Sequence, residues 1–274
     1  MAALVEELRA SYAFVERNIN LTRRYWGWEI VFLVYSIVNS LAVTFIGAAM
    51  QEISGQQVNT AYLVLYLLIG TLVWSYLSVV FDAISEMITW ERWEGTIEYT
   101  FMAPVHRVTH MVGTVLFAIL YGVLRTAVIL AVVSLFFHLD LGRANFLSAT
   151  VVLLVGSISF VGLGIVAAIL PLTFTERGSQ MTRVVEAGLL LVSGVYYPIE
   201  VLPSWLRAIA RVSPATYVLQ GMRRSIMEGA DLLALGPSLV PLLAIGLASI
   251  PIGVFIFGRA EWAARRNGTL KRNG

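Results

Sequence analysis

Five stretches of this chain, residues 30–50, 61–84, 111–137, 147–174 and 237–257, are each apolar almost throughout. A helix needs about 20 mainly apolar residues to cross a hydrocarbon core of about 30 Å, and all five meet that length. A sixth stretch, 184–197, is shorter and runs into further apolar residues broken by prolines. The expected fold is therefore all-α, a polytopic membrane protein with six transmembrane helices forming one transmembrane domain over residues 1–274. Composition agrees: 13% of residues are charged, against about 25% in soluble domains, and mean hydropathy is +0.79.

Several function classes fall away at once. The absence of cysteine removes disulfide frameworks, thiolate metal sites and cysteine nucleophiles. The opening "MAALVEELRASYAFVERN" carries acids and no apolar core of signal-peptide length, so no cleaved signal is expected. A phosphate-binding GxxxxGK[ST] loop needs a lysine followed by Ser or Thr. The sole lysine, Lys271, is followed by Arg272, so no such loop is present. A net charge of +2 offers nothing to suggest a nucleic-acid partner.

Orientation follows the bias of Lys and Arg in short flanking segments. With the N-terminus inside, inner segments hold thirteen: Arg9, Arg17, Arg23, Arg24, Arg92, Arg107, Arg177, Arg183, Arg259, Arg265, Arg266, Lys271 and Arg272. Outer segments hold five, Arg143, Arg207, Arg211, Arg223 and Arg224, and Arg125 stands within a span. Both termini are expected in the cytoplasm, with the protein multi-pass in the plasma or inner membrane. Within residues 1–28, Leu4, Leu8, Tyr12, Val15 and Ile19 recur at helical spacing, with Glu6, Glu7, Arg9, Glu16 and Arg17 mostly off that stripe. This reads as an amphipathic helix on the membrane surface, with Trp26 and Trp28 marking the interface; a soluble cap on the bundle is the plainer alternative. No internal repeat is evident, which weakens the case for a repeat-built carrier.

Between the second and third spans, residues 85–108 include "WERWEGTIEYTFMAPVHR", a charged segment in an oily chain. Written as one helix, it places Glu91, Glu94 and Glu98 on one face with Ile97 and Phe101 beside them. Pro104 ends that helix by biasing Ala103 away from helical geometry. A solvated turn would explain the charges but not Trp90, Trp93, Tyr99 and Phe101. Aromatics beside acids look like a docking surface.

The segment resembles the cytoplasmic coupling segment of the type-2 ABC exporter permeases, which commonly reads Glu-x-x-x-Gly-Thr-x-Glu-x-x-x-x-x-Pro-x-x-Arg. Glu91, Gly95, Thr96, Glu98, Pro104 and Arg107 match it position by position, with Arg92, Glu94 and Phe101 between them. A second stretch, "SGVYYPIEVLPSWLRAIARVSPATYVLQGMRR" from Ser193 to Arg224, resembles the family's turn after span five. Its landmarks are Ser193-Gly194, Tyr196-Tyr197-Pro198, Leu202-Pro203 and Ser213-Pro214-Ala215-Thr216-Tyr217. The resemblance implies a half-transporter: two permeases, identical or siblings, on two ATP-binding subunits. ATP and Mg would be held by those subunits, with no cofactor in this chain. The family exports drugs, antibiotics, lipids and lipid-linked polysaccharides; short tails and no large external domain fit small-drug or glycolipid substrates.

Residues 198–229 are expected to be an external re-entrant hairpin. Pro203–Val212 is ten residues, about 15 Å of helix and too short to cross. Pro203 suits a first helical position, and Ser213-Pro214 suits a second start. The resemblance favours a gate carrying Tyr196, Tyr197, Pro198, Pro203, Trp205 and Pro214; two helices lying flat outside are the alternative. Arg207 and Arg211, one turn apart, either bind lipid phosphate or an anionic substrate, or are a solvated face.

Within the spans, Tyr35 and Asn39 share a face beside Ser36 and Ser40, and Ser75, Ser78 and Asp82 fall at spacings of three and four. Tyr35, Asn39, Ser75 and Ser78 are candidates for a substrate path, against simple helix–helix hydrogen bonding. Arg125, mid-span, is expected to face the interior with a carboxylate or carbonyl partner. Glu186 is either that partner or is paired with Arg183. His106 and His110 lack a third metal ligand, so no metal site is expected. Two other classes compete with the permease reading. An ion-coupled secondary transporter would use Arg125, Glu186 and Asp82 as a relay; a purely structural membrane subunit would leave the charged loop unexplained.

Overall fold

Each apolar run forms a helix in the computed structural model, which describes residues 2–103, 105–174 and 176–267, apart from the side chains of residues 2–5, Phe101 and Asn267. Pro104, expected to end the coupling helix, lies outside the described residues. So do Lys271, Arg272 and the side chains of Leu4 and Phe101. The elements run α1 (Ala2–Arg24), α2 (Trp26–Ser54), α3 (Thr60–Ser85), α4 (Met87–Glu94), α5 (Ile97–Met102), α6 (Arg107–Ser134) and α7 (Phe146–Ala167). There follow α8 (Ile169–Thr173), α9 (Gly178–Ser193), a 3₁₀ turn (Ile199–Val201), α10 (Ser204–Ala210), α11 (Pro214–Met227) and α12 (Gly236–Asn267). No strand occurs among the described residues, and the fold is an all-α polytopic bundle.

Five helices are long and apolar enough to cross a membrane: Trp26–Ser54, Thr60–Ser85, Arg107–Ser134, Phe146–Thr173 and Gly236–Arg266. Three of them contain the runs read from sequence and extend beyond them, while the helices from Arg107 and Phe146 end at Ser134 and Thr173, short of the expected 137 and 174. The sixth run, expected over 184–197, is displaced. α9 covers Gly178–Ser193, 16 residues, or about 24 Å, less than a hydrocarbon core. Gly194 ends it in the left-handed region at φ 73°, so Tyr196 and Tyr197 belong to the turn that follows.

Local signals set the starts of two central helices. The Asn59 side chain accepts from the Tyr62 N–H at 3.0 Å, and Asn145 does the same for Ser148 at 3.0 Å. Each fills one of the orphan donors of a helix N-terminus. α3 and α7 lie at the centre, packed against α11 and α12 around Tyr76, Phe81, Phe160, Leu219 and Phe257. Lipid tails are as apolar as leucine, so close packing and interhelical polar contacts hold such a bundle rather than escape from water. Tyr76 and Ser157 hydroxyls meet at 2.7 Å, and the Ser159 hydroxyl donates to the Leu242 carbonyl at 2.7 Å. α11 sits among α3, α7 and α12 with Ala215, Val218, Leu219 and Met222 in the core. It is not a helix lying on the outside of the bundle.

Candidate functional site

The charged segment between α3 and α6 is a corner, not one helix. α4 stops at Glu94 because Gly95 turns left-handed at φ 75°, a conformation that costs other residues about 1–2 kcal/mol. The Thr96 N–H donates to the Glu91 carbonyl at 2.9 Å and the Gly95 N–H to the Arg92 carbonyl at 3.1 Å. These two bonds close the helix end in the Schellman manner. α5 then runs to Met102, and Ala103 is extended at φ −62°, ψ 140°, as a residue preceding proline should be. The expected shared face of Glu91, Glu94 and Glu98 is thereby overturned: the corner sends the three carboxylates to three environments.

Glu91 is the centre of the corner. Its side chain is 2% exposed and pairs with Arg17 of α1 at 2.5 Å. The hydroxyls of Thr96 and Thr100 donate to its other oxygen at 2.5 and 2.8 Å, and Arg17 reaches Thr96 at 3.2 Å. Burial pushes the Glu91 carboxyl up, but hydrogen bonds from Arg17, Thr96 and Thr100 and the Arg17 charge outweigh it and hold it below the usual range. His110 Nε2 lies 3.6 Å from the same carboxylate, and its ring stacks on Phe14 at 4.2 Å between centroids. Glu94 accepts from the Tyr25 hydroxyl at 2.7 Å and faces Arg24 at 3.8 Å. That hydrogen bond raises the Tyr25 hydroxyl pKa. Only Glu98 is exposed.

The two cations of the motif are also inward. Arg92 is 7% exposed and donates to the carbonyls of Pro171 and Leu172 in α8. Arg107 donates to the Thr100 carbonyl at 2.7 Å and pairs with Glu261 of α12 at 3.2 Å. What faces outward is Trp90, Trp93, Tyr99 and Met102, the last two 80% and 83% exposed, with Glu98 among them. Trp90 and Trp93 meet edge to face at 5.4 Å. The segment is an internally bonded base carrying an aromatic surface.

α1 makes that base. Glu7 accepts from the Thr109 hydroxyl, and the Ser11 hydroxyl donates to the Thr109 carbonyl at 3.3 Å. The face so docked on α6 carries Glu7, Ser11, Phe14 and Arg17. Leu8, Tyr12 and Ile19 of the apolar stripe are exposed, as are Glu6, Arg9 and Glu16, so α1 docks through a narrow face and leaves its oily stripe uncovered.

Among the other candidates, Tyr35 and Asn39 are exposed on α2 and neighbour Tyr196, so residues expected for a path and for a gate lie together. Ser75 and Ser78 are half-buried on α3, and the Ser78 hydroxyl is buried without a hydrogen bond. Arg125 donates to the Phe32 carbonyl at 2.9 Å and to Ser36 at 2.6 Å, both on α2. Neither proposed pairing of Glu186, with Arg125 or with Arg183, forms an ion pair among the described residues. In the hairpin, Tyr197 donates to the Leu191 carbonyl at 2.6 Å, Pro198 precedes the 3₁₀ turn, and Trp205 is exposed. Pro203 stands just before α10 rather than at its first position, while Pro214 is the first residue of α11. Arg207 donates to the Glu200 and Leu202 carbonyls, and Arg211 is exposed. His106 faces Glu7 at 3.8 Å and His110 faces Glu91.

Sequence reasoning missed Arg17 and Tyr25 as partners of the segment, and Arg223, which donates to the Gly194 and Val195 carbonyls at 2.9 and 2.7 Å. Burial of Glu91 was the missing fact; a buried carboxylate demands a cation, and α1 is rich in arginine. No curated protein matches the chain. The family model for ABC-2 type transporters matches residues 11–227, from within α1 to the last residue of α11, and the chain belongs to that family.

Proposed function

We propose that this permease is the membrane half of an ATP-driven exporter and that the outward face of the α4–α5 corner docks on a separate ATP-binding subunit. ABC-2 permeases normally work with such a subunit, and the permease domain is not itself the ATPase. The observation that carries the reading is the contrast within one short segment. Glu91, Arg92 and Arg107 are spent on internal contacts, while Trp90, Trp93, Tyr99 and Met102 stand exposed on the resulting platform. Exposed aromatics on a well-bonded support are what a hot-spot interface requires. The cleft that receives them should be apolar, with a basic group for Glu98.

On this reading both termini are cytoplasmic, two permeases and two ATPases assemble, and ATP and Mg are bound by the partner. α9 together with the turn that follows it makes the sixth crossing, and α10–α11 enter from the outer side as a re-entrant gate. Tyr35 and Asn39, beside Tyr196, line the route of a drug, antibiotic, lipid or glycolipid-like substrate. The test is capture of the ATPase from membranes expressing both subunits. Tyr99→Ala with Met102→Ala should weaken capture by about 30-fold, the equivalent of losing one hot-spot residue of about 2 kcal/mol. Full capture by that variant would remove the docking assignment.

A further inference from the structure

We propose that α9 is a connecting rod between the coupling segment and the external hairpin, pinned at its two ends by Arg92 and Arg223, which act as positioning residues for transport. The proposal rests on the exporter reading above and adds the route by which movement at α4 reaches the gate.

The inner pin starts from a helix end. α8 has only five residues, so its last carbonyls have no partner within the helix. Arg92 of α4 supplies one, reaching the Pro171 carbonyl and, at 3.3 Å, that of Leu172. Gly178, the first residue of α9, is pressed on the same place: a Cβ there would lie 2.2 Å from the Pro171 Cα. The α8–α9 elbow is therefore tight, and what moves Pro171 moves the foot of α9. A second tie runs through Ser179, which donates to Glu86 at 2.6 Å and meets Thr89 at 3.0 Å.

The outer pin repeats the chemistry. Gly194 ends α9, and its carbonyl and that of Val195 accept from the two terminal nitrogens of Arg223 on α11. The guanidinium carbon lies 3.5 Å from the centre of the Tyr66 ring on α3. The negative end of a helix dipole and the face of a ring together hold a cation without a carboxylate. Gly70 allows the approach, since a Cβ there would lie 2.2 Å from the Val195 oxygen. Between the pins one side of α9 is uncovered, with Met181, Val184, Val185 and Leu191 exposed, while Leu189 and Leu190 pack on the core. A stiff helix fixed at both ends and free along one side transmits displacement lengthwise.

Two breaks in one rod should not add. The pins are separated by the length of α9, about 24 Å, and share no partner, so independent structural damage would be additive. The experiment uses the complex with its co-purifying ATPase in proteoliposomes, exploiting the cysteine-free chain. Val201→Cys, exposed in the 3₁₀ turn, is labelled with a membrane-impermeant maleimide, without nucleotide and with ATP plus vanadate. The labelling rate should differ between the two states by about 5-fold or more, the lower end of ordinary site-to-site coupling. Arg223→Lys should bring the ratio close to one, because an ammonium cannot serve two carbonyls and lie flat on a ring. Arg92→Lys should do the same, and the double variant should do no more than either. Ala187→Gly, which touches neither pin and makes a Gly-Gly pair mid-rod, should at least halve the ratio.

A ratio that survives Arg223→Lys overturns the proposal, as does a double variant whose loss is the product of the single losses, or no ratio in the otherwise unaltered complex. Should no ATPase co-purify, the exporter reading itself fails, a result distinct from each of these.

Discussion

Removing the Glu91 carboxylate is the most direct test of how the α4–α5 corner is built. Glu91→Ala withdraws the acceptor of three donors, Arg17, Thr96 and Thr100, from a site 2% exposed. Breaking a buried pair by deleting one partner costs about 3–5 kcal/mol, mostly because the other charge is stranded. Arg17 is 29% exposed and regains some water, which places the expected loss near the low end, about 3 kcal/mol. In a chain of this size that corresponds to a fall in Tm of about 6–12 °C, measured by thermal unfolding in detergent micelles. Arg17→Met with Glu91→Leu strands neither charge and should recover most of the loss. The pH dependence has a definite sign. The folded-state carboxyl of Glu91 lies below its usual value, so its stabilisation is complete above about 4.3, the unfolded value. It fades as pH falls from there through the folded value, and the gap between Glu91→Ala and the parent should narrow only in that acidic window. A Tm within about 2 °C of the parent at neutral pH, or a double variant no better than the single, would refute the buried-base account.

Three further outcomes can be checked. Gly95→Ala should lose about 1–2 kcal/mol in the same unfolding assay, the cost of holding a Cβ in the left-handed region. Arg125→Leu should change stability by no more than about 1 kcal/mol, since its partners are a carbonyl and a serine of α2 rather than a carboxylate, whereas a proton relay would need a charge there. Cysteines placed singly at Ser204 and Glu228 should both react with an impermeant maleimide from outside, while one at Ser225, fully buried on α11, should react with neither side; labelling of Glu228→Cys only from the cytoplasmic side would invert the hairpin.

How far the sequence spoke depended on the range of the interaction. The long spans were legible because twenty consecutive apolar residues admit few alternatives, and the five long helices contain the runs that predicted them almost entirely. α9 was misplaced because its second half and the Tyr196-Tyr197 turn are equally apolar; only the φ of Gly194 separates helix from turn there. The charged segment was legible in content and misread in shape. Helical periodicity over "WERWEGTIEY" put three acids on one face, and one left-handed glycine dispersed them. Glu91 then found a partner 74 residues earlier in the chain, a pairing that no local spacing can reveal.

The arginines connect composition to this architecture. Of 19 basic residues all but Lys271 are arginine, and the inside bias that orients spans does not itself distinguish the two. The contacts do. Arg92, Arg107, Arg125, Arg207, Arg223 and Arg224 each donate to at least one main-chain carbonyl. In a bundle whose helices end within or near hydrocarbon, orphan carbonyls have little water to turn to. A planar fork with several fixed donors can close two of them at once and is less strongly hydrated than an ammonium, so it enters such places at lower cost. The same property makes each contact directional: a fork across two carbonyls resists rotation where a point charge would swivel. These six arginines are therefore less charges displayed to solvent than fasteners onto main-chain carbonyls, and lysine at those positions would preserve the charge while losing the fastening.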